Sequence, residues 1–148
     1  MTKITNRLSC EEIKGHFAKE NRMELNKVIA HFLPVGIVLQ YFLGGFLSAG
    51  LIGRVGISML GWHIIWGTIL GLSSLILLVL VRRKKMLQAF RAAIITFTLL
   101  AVTVGLGFVT LTSPDIIAKP YLAIVHQVLA SIVFGAASLT LYTTRRGI

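Results

Sequence analysis

The sequence predicts an all-α integral membrane protein, a bundle of four transmembrane helices with both termini cytoplasmic, and three observations predict it. The first is composition. Of the 148 residues, 55% are hydrophobic and 14% charged, and the mean hydropathy is +0.84, whereas a soluble domain is about 25% charged. The second is the presence of four uncharged runs, at 32–53, 55–81, 92–114 and 120–144. A membrane helix needs about 20 mostly apolar residues, and all four runs are long enough. The third is where the charges sit. Fifteen Lys and Arg stand against five Asp and Glu, and the cations gather at the two ends of the chain and in its central loop. A net charge of +10 on a soluble domain would suggest a nucleic-acid partner. Here the apolar runs leave no room for such a domain, and nucleic acid is not an expected partner.

The elements follow in order. Residues 1–30 form a basic segment ahead of the membrane domain, which covers 31–148. This segment has no apolar core before a cleavage site and so does not read as a signal peptide. Ser9 and Glu12 stand at capping-box spacing, so a short helix is expected to begin there. With Ile13, Phe17 and Met23 on one side, it reads either as a basic amphipathic helix on the inner membrane surface or as a solvated tail. The transmembrane helices are expected near 32–52, 59–81, 91–112 and 121–143. The loop between the second and third carries Arg82, Arg83, Lys84, Lys85 and Arg91. The segment before the first carries Lys3, Arg7, Lys14, Lys19, Arg22 and Lys27, and the tail carries Arg145 and Arg146. The other two loops hold only Arg54 and Lys119. Cations mark the cytoplasmic side of a membrane helix, so both ends and the central loop are expected inside. The expected location is the cell membrane, crossed four times, with the lipid bilayer as the main partner. Trp62, Trp66 and Tyr121 read as an outer interfacial belt, and Tyr142 and Phe90 suit the inner interface.

Chemistry is sought among the four histidines. His16 reads as a surface residue of the basic segment, and His31 as an interfacial residue at the inner mouth of the first helix, in reach of a headgroup or a quinone. Cys10 is the only cysteine, so neither an intramolecular disulfide nor a Cys-X-X-Cys-His haem attachment exists. His63 and His126 differ from the other two histidines. Each lies inside an apolar run, where an ionisable side chain is rare and marks a functional site by default. The second and fourth helices both run from outside to inside. At 1.5 Å per residue, both imidazoles fall about 26 Å from the inner boundary. A shared depth on different helices is what a bis-histidine haem requires, so haem is the expected cofactor, with His63 and His126 as axial ligands of its iron. Gly67 and Gly71 follow His63 at one and two turns, and Ala123 and Ala130 flank His126. Small residues at these positions leave room for a macrocycle edge. Arg54 and Lys119 are the cations nearest that surface and the expected partners of the propionates. The alternative is a pair of packing histidines bonded to each other or to a backbone carbonyl. A metal site of another kind is disfavoured, because the spans supply no acid or thiol to complete it.

Four stretches carry a family resemblance. The first helix reads Leu39-Gln40-Tyr41-Phe42-Leu43-Gly44-Gly45, and the second opens on Gly61-Trp62-His63. The third and fourth read Leu99-Leu100-Ala101-Val102-Thr103-Val104-Gly105-Leu106-Gly107 and Tyr121-Leu122-Ala123-Ile124-Val125-His126-Gln127-Val128-Leu129-Ala130. Across residues 32–143 the chain resembles one four-helix half of the haem A synthase family. That family is built from two such halves, with histidines on the second and fourth helices at the outer side. The resemblance implies that His63 and His126 are paired ligands of one b-type haem. It also implies that a single half associates with another copy of itself or with another membrane subunit. The family's acidic residue three positions before the second-helix histidine is Leu60 here, and the Arg that often follows that histidine is Ile64. The family's outer cysteine pair has no counterpart, and the one outer acid, Asp115, lies in a different loop. The family ties its outer carboxylate to oxidation of the haem side group, so the resemblance carries haem binding further than it carries catalysis. No catalytic residue is assigned. Three readings follow: a haem b protein for electron transfer or oxidase and haem biogenesis, a half-size synthase acting as an oligomer, and a non-catalytic subunit of a membrane complex.

Overall fold

The computed structural model describes residues 10–48, 54–115 and 117–147, and the side chains of 25–45, 60–115 and 117–147. Four helices make up the fold: α1 (Cys10–Ser48), α2 (Arg54–Arg83), α3 (Leu87–Thr112) and α4 (Ala118–Arg146). No strand occurs among the described residues. Each helix contains a stretch long and apolar enough to cross a membrane: Leu25–Gly45, Leu60–Arg83, Leu87–Thr112 and Ala118–Arg146. The expected spans are all present, and all four helices run past the expected start. The largest difference is in α1, which is continuous from Cys10. The boundary expected at residues 30–31 therefore falls inside a helix. Ser9, the expected cap, lies outside the described residues, as do the side chains of Cys10, Ile13, His16, Phe17 and Met23.

The helices pack in cyclic order, α1 on α2, α2 on α3, α3 on α4 and α4 on α1. The diagonal pairs, α1 with α3 and α2 with α4, face each other across the bundle's middle without a packed interface of their own. Short connections dictate this order, since brief loops join antiparallel neighbours. Between α2 and α3 the turn is closed by the N–H groups of Lys84, Lys85 and Met86, which donate to the carbonyls of Leu80, Arg82 and Val81. Between α3 and α4, the Asp115 carboxylate accepts the N–H groups of Ile117 and Ala118 at 2.8 and 3.2 Å. The acid thus satisfies donors that the start of α4 leaves free. At the far end, Gly147 takes φ +72° and its N–H returns to Thr143 and Thr144. That is the left-handed C-terminal cap for which glycine is favoured.

The core lies toward the end that carries the α2–α3 turn. Leu33, Leu70, Leu77, Val81 and Val133 are the largest fully buried apolar side chains, with Ala30, Ala89, Ala93 and Ala137 between them. Small residues let the backbones approach, which is how helices gain packing energy in lipid. Thr96 and Thr140 are buried and share a 2.9 Å hydrogen bond between α3 and α4. At the same end, Arg145 Nε donates to His31 Nε2 at 2.9 Å, with Arg145 Nη2 also in contact, and His31 Nδ1 lies 2.6 Å from the Lys27 carbonyl. An arginine offers only donors, so Nε2 accepts and the proton sits on Nδ1, bonded to Lys27. His31 thereby ties α1 to α4. Tyr142 is half-exposed beneath the Arg146 guanidinium, 4.7 Å from its centre, and Phe90 packs against the core.

The opposite end is built differently. Among the described residues, no buried side chain occurs on α1 beyond Ile37, on α2 before Gly67, on α3 beyond Thr103 or on α4 before Val133. Phe42, Trp62, Phe108 and Tyr121 are each at least 60% exposed there. Trp62 and Tyr121 are thus free to sit at a membrane interface. Trp66 turns inward instead. Its Nε1 donates to the Gly36 carbonyl at 2.9 Å, and its ring meets Phe32 edge-on at 5.7 Å.

Candidate functional site

His63 and His126 stand in this loosely packed end. Twenty residues separate His63 from Arg83, the last of α2, and twenty separate His126 from Arg146, the last of α4. The expectation of equal depth therefore holds in the folded chain. The two helices are diagonal partners, so their histidines meet across the middle of the bundle. The ring centroids are 6.3 Å apart and the ring planes are inclined by 54°. Neither Nδ1 has a hydrogen-bond partner although both are buried. A buried polar atom left unsatisfied costs about 1–3 kcal/mol, and these two nitrogens border the neighbouring helices, His126 Nδ1 3.3 Å and His63 Nδ1 3.8 Å from where a Cβ of Gly107 and of Gly44 would stand.

Helix α1 shapes one side of the site. Gln40 Nε2 donates to the His63 carbonyl at 2.9 Å and fixes the turn that carries the ring, while Gln40 Oε1 is buried without a partner. One turn on, a Cβ at Gly44 would stand 3.2 Å from His63 Cε1. Helix α3 shapes the other side. A Cβ at Gly107 would stand 2.9 Å from His126 Cε1, closer than such atoms pack. Each histidine ring therefore leans on a glycine of the neighbouring helix, and the glycine is what admits it. Gln40, Gly44 and Gly107 acquire these roles only once the helix order is known. Their one signal in the sequence is the four-residue spacing of Gly36, Gln40 and Gly44, a stripe that faces Trp66, Gly67, Leu70 and His63 on α2.

The other expected site residues are dispersed. Gly67 is buried, but the space beside it is taken by the Gln40 amide, 3.2 Å from where a Cβ would stand. Gly71 faces open space. Ala123 and Ala130 are half-buried, on either side of His126 along α4. Lys119 is exposed in the first turn of α4, two turns from His126 on the same face. Arg54 opens α2, and its side chain lies outside the described residues. Leu60 and Ile64 flank the His63 turn with no charge. Asp115 is engaged as the cap of α4.

Whether these residues fit a haem is tested by three features. The imidazole centroids stand 6.3 Å apart, a spacing that would let one iron sit between two ring nitrogens at about 2 Å from each. Among the described residues no group of three or more His, Cys, Asp or Glu comes together. Two protein ligands are too few for a bare ion but suffice for an iron whose other positions a porphyrin fills. The third feature is that no described residue of this end is buried beyond Ile37 on α1, before Gly67 on α2, beyond Thr103 on α3 or before Val133 on α4, so it has no tight core like that of the other end. The residues present fit the group. Together they define a class, a four-helix membrane bundle with a histidine pair facing across its diagonal. Set against protein-family models, curated proteins and solved structures, the chain matches none.

Proposed function

We propose that the protein is a haem b-binding membrane protein in which His63 and His126 are the axial ligands, serving one-electron transfer or the biogenesis of an oxidase or its haem. The observation that carries this reading is the 6.3 Å separation of two diagonally opposed, depth-matched imidazoles. The haem would supply a reversible one-electron iron centre. The chain's part is to hold two imidazoles at a fixed span, to exclude water with the surrounding apolar helices, and to admit the rings beside Gly44 and Gly107. Lys119, and Arg54 from the start of α2, are the proposed partners of the propionates. In this reading the chain crosses the cell membrane with both termini cytoplasmic and the histidines toward the outer face, as the clustering of cations supports. It works as a homo-oligomer or beside another membrane subunit, as the likeness of its short glycine and histidine strings to half a haem A synthase suggests. The half-size synthase itself lacks support, because Leu60 occupies the position of the family's acid and Asp115 is committed to a helix cap.

The test is a reduced-minus-oxidised optical spectrum of the full chain purified from haem-replete cells. Bands of b type that disappear in His63→Ala and in His126→Ala are expected. A colourless protein would refute the reading and leave a structural membrane subunit. Conversion of haem O to haem A by the purified chain would restore the synthase. The topology has its own check in the single cysteine: an impermeant thiol reagent should label Cys10 only after the membrane is breached.

A further inference from the structure

At the end of the bundle away from the histidines, a cavity of about 220 Å³ is lined by Val81, Arg82, Lys85, Met86, Leu87 and Phe90. It sits where the α2–α3 turn meets the start of α3. Its walls are of two kinds. Arg82 and Lys85 are exposed cations, whereas Val81 is fully buried and Met86 and Phe90 pack on the core. Ten residues, 82–91, hold five cations and no acid. The backbone adds an independent observation. Lys85 takes φ +57° and is the one non-glycine residue with positive φ among those described. A side chain in the left-handed region costs roughly 1–2 kcal/mol, and glycine would occupy this position at no such cost. A strained residue kept at a loop is a pointer to function. Here the strained residue is one of the two cations that line the cavity.

We infer that this cavity is a binding site for one anionic phospholipid, with Arg82 and Lys85 on its phosphate and Leu87, Met86 and Phe90 against the start of its acyl chains. Charge selects an anion, and the apolar wall selects a lipid over a free phosphate. Leu87 is 59% exposed beside these cations, an apolar side chain open to a lipid tail. Basic pockets between membrane helices bind lipid headgroups by this chemistry.

The experiment places the full chain in mixed phosphatidylglycerol and phosphatidylcholine bilayers, extracts it gently and counts retained phosphatidylglycerol by native mass spectrometry. Arg82→Gln and Lys85→Gly should each lower retention about fivefold, while Arg91→Gln, the same charge loss outside the cavity, should leave it unchanged. Lys85→Gly also separates binding from folding, because the turn should be at least as stable while retention falls. Leu87→Ser should weaken retention with no change of charge. Equal losses in all three charge variants would overturn the site in favour of diffuse attraction. Unchanged retention in Lys85→Gly, or full displacement of the lipid by inorganic phosphate, would overturn it as well.

Discussion

The two ends of the bundle are made from the same four helices and obey different rules. The basic end is closed by packing. Alanines and threonines bring α3 and α4 together, leucines and valines fill the middle, and Thr96 and Thr140 satisfy each other. The histidine end has no tight core among its described residues, and it holds buried polar atoms with nothing to bond: Gln40 Oε1, His63 Nδ1 and His126 Nδ1. In lipid, helices gain nothing from mere apolarity and associate through close packing and polar contacts. The first end satisfies most of that requirement with its own side chains, leaving one buried hydroxyl, Thr144 Oγ1, without a partner. In the proposed reading, the second would satisfy it when a flat, apolar group with a metal centre joins the bundle. The comparison teaches that tight packing is confined to the basic end among the described residues, and under the proposed reading a ligand completes the other.

The largest expected effect is at the histidines. His63→Ala or His126→Ala should remove all bound haem while the helical circular dichroism of the chain persists, because neither residue supports the packed end. Retention of haem in either variant would break the distinction between the ends. Next is the converse substitution. Leu77→Ala, in the fully buried part of the basic end, should cost about 2–5 kcal/mol in unfolding measurements, much of it the cavity left behind. The haem content of the folded fraction should not change. Smaller is Gly107→Ala, where the new Cβ meets the His126 ring. Overpacking of this kind costs about 1–3 kcal/mol, so haem affinity should fall roughly tenfold or more, with Gly44→Ala milder because its Cβ has 3.2 Å. Smallest is Thr96→Val, which removes one interhelical hydrogen bond worth about 0.6 kcal/mol. It should lower the melting temperature slightly and leave the spectrum untouched.

The helices were legible because membrane spans are written in the length of uncharged runs, and the depth of His63 and His126 followed by counting residues along two parallel helices. The start of α1 was not legible from hydropathy. Residues 10–24 hold four Glu, two Lys and one Arg, which continue a helix well without being apolar. Nor was the partition of the small residues. Gly67 and Gly107 look alike in sequence, yet one receives the Gln40 amide and the other the His126 ring. That difference depends on which helices are neighbours and which are diagonal, and no periodicity within one helix encodes it. Trp66 escaped for the same reason, since its bond partner, the Gly36 carbonyl, lies on another helix.

The most direct test of the site is titration of haem into the haem-free full chain in a lipid nanodisc, followed by electron paramagnetic resonance of the ferric product. The account predicts saturation at one haem per chain with the low-spin signal of two imidazole ligands, and no such signal in the His63→Ala, His126→Ala double variant. A high-spin product, or uptake that the double variant matches, would contradict it.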